Sequence, residues 1–369
     1  MIKNISMSYL VDFKIGNFRG FDNLEIEGLS KINVFLGKNN SGKTSLLEAL
    51  FLLVGMSNPL LPETINRIRG INLNTPRQLK YLFHDLKFAN NPSFYGSFDD
   101  TSERWLNLIP RYQKRLDTDG STNKESADDL SLISATNQTL DINGLDLNYS
   151  SKKRHEQKKT FTSSLILNLP EIGSRVNKEY IENLHGVFLH ANTKENNTLA
   201  RYSQIVKNKQ GDLILKTLQS FDNRIESIQP LPDGIFFGIK GINELIPSHI
   251  IGDGMRKFLN IITAIAETKN AIIFIDEIEN GLHYSAHKLL WENIISMAEI
   301  YNTQLFITTH NLETLSCLKQ ALEVKQYEKM QNFVKVFTLT QTAKSGFKSY
   351  RYSYDAFKEA IEKETELRS

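Results

Sequence analysis

Hydrophobic and polar positions alternate from the first residues of the chain. Tyr9, Val11, Phe13 and Ile15 fall on one side, with Asp12 and Lys14 between them, the period of a half-buried strand. Phe18-Arg19-Gly20-Phe21 reads as a turn, and Leu24-Glu25-Ile26-Glu27 alternates again, so the opening is expected to be an antiparallel hairpin. Ile32-Asn33-Val34-Phe35-Leu36 is a short, nearly unbroken apolar run, suited to a strand covered on both faces. From Ser45 the spacing becomes helical, through Leu46, Leu47, Leu50, Phe51 and Val54.

The pattern weakens over residues 58–184, where Asn90-Asn91-Pro92-Ser93 and Asp117-Thr118-Asp119-Gly120-Ser121 are turn-rich and Phe161 to Leu169 suggests a strand. This stretch is expected to be an inserted mixed α/β segment between two parts of one domain, residues 1–57 and 185–369. Beyond Gly186, helices are predicted at Ile205 to Leu218, Met255 to Ala266 and Ser285 to Ile300. Buried strands are predicted at Ile272 to Ile275 and Leu305 to Thr308, another strand at Val334 to Leu339, and a last helix near Tyr354 to Glu366. Strands alternating with helices predict an α/β fold with a parallel core sheet.

Two of these strands run into chemistry. The apolar run Ile32–Leu36 is followed by Gly37-Lys38-Asn39-Asn40-Ser41-Gly42-Lys43-Thr44, a full G-x-x-x-x-G-K-[ST] phosphate loop, with Ser45 opening the helix behind it. Its glycines allow a tight loop whose N–H groups face phosphate oxygens, and the positive end of the helix favours the same anion. Lys43 is expected to reach the β- and γ-phosphates of ATP, and the Thr44 hydroxyl to ligate Mg²⁺. Ile272-Ile273-Phe274-Ile275 ends on Asp276 and Glu277. A strand of an open α/β sheet delivers such residues to the edge where ligands bind. Asp276 is expected to hold Mg²⁺, and Glu277 to polarise the attacking water. Thr308-Thr309-His310 closes the next buried strand and makes His310 a candidate γ-phosphate switch.

Together, Asn17-Phe18-Arg19-Gly20-Phe21, the phosphate loop, Ile275-Asp276-Glu277-Ile278-Glu279-Asn280-Gly281-Leu282-His283 and Thr308-Thr309-His310-Asn311 resemble the AAA-type ATPases of the OLD, RecF and SMC branch of ABC ATPases. The likeness runs from Leu10 to about Val54 and from about Gly186 to Arg368, and is greatest to short members found in prokaryotic defence gene pairs. It implies an ABC-type P-loop head with an antiparallel β-lobe, a head-to-head dimer or larger homo-oligomer, and ATP with Mg²⁺ as ligands. It further implies a signature motif at Ile251-Gly252-Asp253-Gly254-Met255-Arg256, with Gly252, Asp253 and Gly254 serving a neighbour's ATP. Gly252 replaces the family's serine, and Arg256 or Lys257 could supply charge instead. Asn280-Gly281-Leu282-His283 resembles the D-loop, and a Q-loop residue is implied within the insertion, with His84 and Asp85 the nearest candidates.

Other features limit the partners. Net charge is +2, which neither demands nor excludes DNA. The one dense basic run, Lys152-Lys153-Arg154-His155 with Lys158-Lys159, could grip a nucleic-acid backbone, but such a run is more often a solvated loop. Asp128-Asp129, Glu362, Glu364 and Glu366 read as surface charges. The single cysteine, Cys317, excludes an internal disulfide and a Cys-rich metal site. No apolar run approaches the roughly 20 residues of a membrane span. A start without a secretory leader pattern then favours the cytoplasm. The resulting expectation is an ATP-driven switch ATPase of an anti-phage defence system acting with a separately encoded effector, since the 59 residues after His310 leave no room for an appended nuclease. A RecF-like DNA-repair ATPase is the alternative, and a nuclease acting alone a third.

Overall fold

The computed structural model describes residues 8–114, 140–190, 195–342 and 346–363. Strands β1 (Leu10–Phe18) and β2 (Phe21–Glu27) form the expected antiparallel hairpin around Arg19 and Gly20. The register of β1 against its other neighbour shifts between Leu10 and Asp12. Leu10, not Tyr9 or Val11, is therefore the fully buried residue at that end, which corrects the simple alternation. Strand β3 (Ile32–Leu36) leads into α1 (Lys43–Val54), followed by α2 (Leu61–Ile68). Strands β4 (Ser93–Phe98), β5 (Glu103–Lys114), β6 (Leu140–Lys152), β7 (Lys159–Asn168) and β8 (Glu171–Arg175) come next. They extend the opening hairpin into one seven-stranded antiparallel sheet, in the order β2-β1-β4-β5-β6-β7-β8. Asp117–Ser121 and Asp128-Asp129 lie outside the described residues, as do Glu364 and Glu366.

The chain then returns to the core with β9 (Gly186–Leu189) and two helices, α3 (Glu195–Lys207) and α4 (Gly211–Phe221). The single helix predicted over Ile205 to Leu218 is broken at Asn208–Gln210, where Lys209 takes φ 58°. A small sheet follows, formed by β10 (Ile225–Leu231), β11 (Gly234–Ile239) and β12 (Ile246–Pro247), then the single turn α5 (Ser248–Ile251) and α6 (Asp253–Glu267). The last part contains β13 (Ile272–Ile275), α7 (His287–Ile300), β14 (Gln304–Thr309), α8 (Leu312–Leu322), β15 (Val334–Thr342), β16 (Gly346–Tyr352) and α9 (Tyr354–Glu362). The helix predicted from Ser285 begins only at His287, behind a 3₁₀ turn at Tyr284–Ala286.

The core sheet has the order β16-β15-β3-β14-β13-β9, parallel throughout except for β16 against β15. Its strands are apolar on both faces because both are covered. Phe35, Phe274, Phe306 and Phe337 point to α1 and the antiparallel sheet, and Val34, Ile273, Ile275 and Ile307 point to α6, α7 and α8. The phenylalanines stack from strand to strand, Phe337 on Phe35 at 5.1 Å and Phe274 on Phe306 at 5.4 Å between ring centroids. Burial of each such side chain contributes about 1.5–3 kcal/mol. Register then sets Leu36, Leu189, Ile275 and Thr309 near one edge of the sheet, so the loops that follow them converge there.

Candidate active site

The loop between β3 and α1 closes on its own lysine. Lys43 Nζ donates to the carbonyl oxygens of Gly37 at 2.8 Å and Lys38 at 2.9 Å, and lies 3.5 Å from Ser41 Oγ. Lys38, Asn39 and Asn40 are exposed at the crest, with Asn40 at φ 66°. Gly42 has φ 83°, and a Cβ there would lie 2.8 Å from the Phe21 ring, so the position needs glycine on both counts. Gly42 is also the N-cap of α1, and no side chain caps that helix end. The first N–H groups are thus positioned to meet an anion. Burial lowers the Lys43 pKa, opposed by the charges of Asp276, Glu277 and Glu279. Ser45, the last residue of the predicted phosphate run, accepts at its Oγ from Arg69 Nη2 at 3.0 Å.

The end of β13 supplies the acids. Thr44 Oγ1 donates to Asp276 Oδ2 at 2.9 Å and lies 3.2 Å from Oδ1. This is an all-oxygen pair of the kind that suits Mg²⁺. Thr308 Oγ1 donates to Asp276 Oδ1 at 2.6 Å and accepts from Glu277 N at 2.8 Å. One hydroxyl on β14 therefore sets both acids. Glu277 takes φ 49°, and its carboxylate is held by the Asn280 side chain. His310, at the end of β14, donates its N–H to Glu279 Oε1 at 2.8 Å, and its Nδ1 lies 2.8 Å from the same oxygen. The phosphate loop, Asp276, Glu277 and His310 are thus brought to one edge.

Gly252 separates α5 from α6 at φ 112°, ψ 150°, backbone that glycine adopts readily. Gly254 presses the start of α6 onto the loop after β13. A Cβ there would lie 3.1 Å from Gly281 O and 3.2 Å from the Leu282 side chain. Asp253 is largely exposed and pairs with Arg256 at 3.4 Å. Lys257, considered above for a neighbour's phosphate, instead turns inward and donates to Glu277 O at 2.5 Å. Burial lowers its pKa to about 8 despite Glu279, Glu277 and Asp276 nearby.

The Q-loop candidates fall elsewhere. His84 Nδ1 lies 3.0 Å from Arg19 O, and Asp85 is mostly exposed. The end of β9 brings His190 into a cavity of about 300 Å³ that it shares with Asp276, Asn280, Lys257 and Asn260. Burial lowers the His190 pKa, opposed by the charge of Asp276. The sequence reading missed His190, although the rule used for Asp276 and His310, a polar residue closing an apolar run, also fits Val187-Phe188-Leu189-His190. The roles of Thr308, Asn280 and Glu279 were also missed, because they depend on how two strand ends meet. In the basic run, Lys152 pairs with Glu103 at 3.1 Å and Lys158 lies 3.9 Å above the Trp105 ring.

A protein-family profile described as "AAA domain, putative AbiEii toxin, Type IV TA system" matches residues 32–316. An "ATP/GTP phosphatase" of Helicobacter pylori is 29% identical over 353 residues, covering 89% of this chain and 91% of that protein. The DNA replication and repair protein RecF of Streptococcus pyogenes serotype M49 is 23% identical over 367 residues, covering 86% of this chain and 96% of RecF. A solved Smc head bound to the C-winged helix domain of ScpA aligns with TM-score 0.49 at 10% identity, over 94% of this chain and 98% of that one, a similarity too low to carry a functional argument. Among the described residues, no helix is long and apolar enough to cross a membrane.

Proposed function

We propose, from the premise that this chain belongs to the AAA domain family and is a P-loop ATPase of the RecF/SMC-like kind, that it is a dimerising switch whose ATP sites are completed by a second copy. The observation that carries the reading is the union of Thr44, Asp276, Glu277 and Thr308 through hydrogen bonds of 2.6–2.9 Å, beside the Lys43 loop. Lys43 would exchange two loop carbonyls for the phosphates. Thr44 and Asp276 would hold Mg²⁺, which when bound offsets phosphate charge. Glu277, oriented by Asn280 and Thr308, would take a proton from the attacking water, and His310 would sense the γ-phosphate. Gly252, Asp253 and Gly254 would present the start of α6 to the neighbour's nucleotide, next to exposed Ile250 and Tyr284.

The biological reading is the ATPase of an anti-phage defence pair working with a separately encoded effector. Its support is the family description, which joins an AAA domain to a toxin of a two-gene system. A RecF-like role on DNA has its own support in the RecF relatives and the exposed basic turn between β6 and β7. ATPase stimulation by double-stranded DNA would favour that role. The decisive variant for the switch is Glu277→Gln. It should bind ATP, turn over at least roughly 10²-fold more slowly, and accumulate as an ATP-dependent dimer in light scattering. Near-normal turnover would remove Glu277 from the mechanism, and a monomer at saturating ATP would remove the switch.

A further inference from the structure

Lys257 lies one turn into α6, the helix whose first residues are offered above to a neighbour's nucleotide. Its side chain runs the other way, into the molecule, to the carbonyl oxygen of Glu277 at 2.5 Å. The backbone it holds is unusual. Glu277 has φ 49°, a conformation that is unfavourable for a non-glycine residue and persists only where the surroundings impose it. Thr308 fixes the N–H of that residue and Asn280 its carboxylate. Both belong to β14 and the loop itself. Lys257 is the contact that arrives from α6.

The same end of α6 borders a cavity on one side. The cavity of about 300 Å³ lies between it and the ends of β9 and β13, bordered by His190, Asp276, Asn260 and Lys257. A close-packed interior transmits a push and has no room to shift. Gly254 seats the start of the helix against Gly281 O and the Leu282 side chain, so a displacement of α6 is passed to the loop that carries Glu277. A buried ammonium is retained only where hydrogen bonds and opposite charges offset its desolvation, and Lys257 finds both at the catalytic loop.

We propose that Lys257 is a positioning residue that makes the placement of Glu277 depend on the position of α6, so that hydrolysis in one site responds to how a second copy engages that helix. The inference rests on the dimeric-switch reading, and the test separates the two. Lys257→Met keeps an unbranched side chain of similar length and helical preference but has no donor. Its kcat is expected to fall about tenfold or more, while KM and ATP affinity stay within about threefold, because binding groups are untouched and the base is displaced. The ATP-dependent dimer should still form. Lys257→Arg, which can donate to the same carbonyl, should recover part of kcat. If Lys257→Met does not fold, Lys257→Leu, another helix-favouring side chain without a donor, replaces it with the same expected split.

Measured beside Glu277→Gln, each outcome is decisive. A normal kcat in Lys257→Met with an inactive Glu277→Gln overturns the inference and leaves the switch intact. A rise in KM at unchanged kcat makes Lys257 a binding residue and also overturns it. Normal turnover in Glu277→Gln ends both, since no placed base would remain for Lys257 to position.

Discussion

Glu48 occupies the middle of α1 with no exposure at all, facing two guanidinium groups. Its carboxylate accepts from Arg69 Nε at 2.7 Å and Nη2 at 3.0 Å, and lies 2.8 Å from Arg19 Nε. Arg19 belongs to the β1–β2 turn and Arg69 follows α2, so one carboxylate ties three elements beneath the phosphate loop. Glu48→Gln preserves volume and helix preference and leaves two guanidiniums facing a neutral amide. Burial already lowers the Arg19 pKa to about 10 with Glu48 in place. Removing one partner of a buried pair costs about 3–5 kcal/mol. Arg69 is about a third exposed, so water recovers part of that loss, and about 3 kcal/mol is the better figure. Against a total stability of about 5–15 kcal/mol this is a large share. At about 2–4 °C per kcal/mol, Tm should fall by roughly 6–12 °C. Thermal and urea unfolding of wild type and Glu48→Gln measure it, and adding Arg19→Met should return part of the loss. A fall of under about 2 °C would show that water already screens the cluster and that it does not tie the hairpin to α1.

Lys43→Ala should remain folded and lose ATP binding in equilibrium titration, and normal affinity in a folded variant would refute the phosphate-loop assignment. Gly254→Glu should bind ATP without hydrolysing it, because a side chain there meets Gly281 O and Leu282. Mixed with Lys43→Ala chains, it should regain activity at the one interface that pairs an intact loop with an intact α6 start. Mixed dimers as inactive as either parent would count against a shared site. The purified chain should not cleave plasmid DNA with ATP and Mg²⁺ or Mn²⁺. Cleavage abolished by a carboxylate substitution would contradict this.

The phosphate loop was legible because its chemistry is contiguous in the chain. Strands β3, β13 and β14 were legible because both faces of the sheet are covered, which leaves few polar positions to blur the run. The break at Lys209 was hidden because apolar spacing is helical on either side of it. Strand β9 has four residues, too few to establish a period, and with it went His190. Arg256 and Lys257 look alike in the sequence. Only the packing of α6 shows that one pairs at the surface with Asp253 and the other turns inward to Glu277.

The place of β3 in the middle of the core sheet bears on biosynthesis. Its neighbours are β14 and β15, and the Asn33 side chain donates to Leu305 O across 272 positions of sequence. At about 5–20 residues per second, a ribosome delivers that partner roughly 15–50 s after β3. Until then the nascent chain holds a complete phosphate-loop sequence without the sheet that shapes it or the acids that serve it. The loop-closure entropy of this long-range pairing must be met late, which predicts slow folding and a waiting segment of exposed apolar strand. Nascent chains stalled before β14 should therefore fail to retain ATP, although every residue of the loop has already been made.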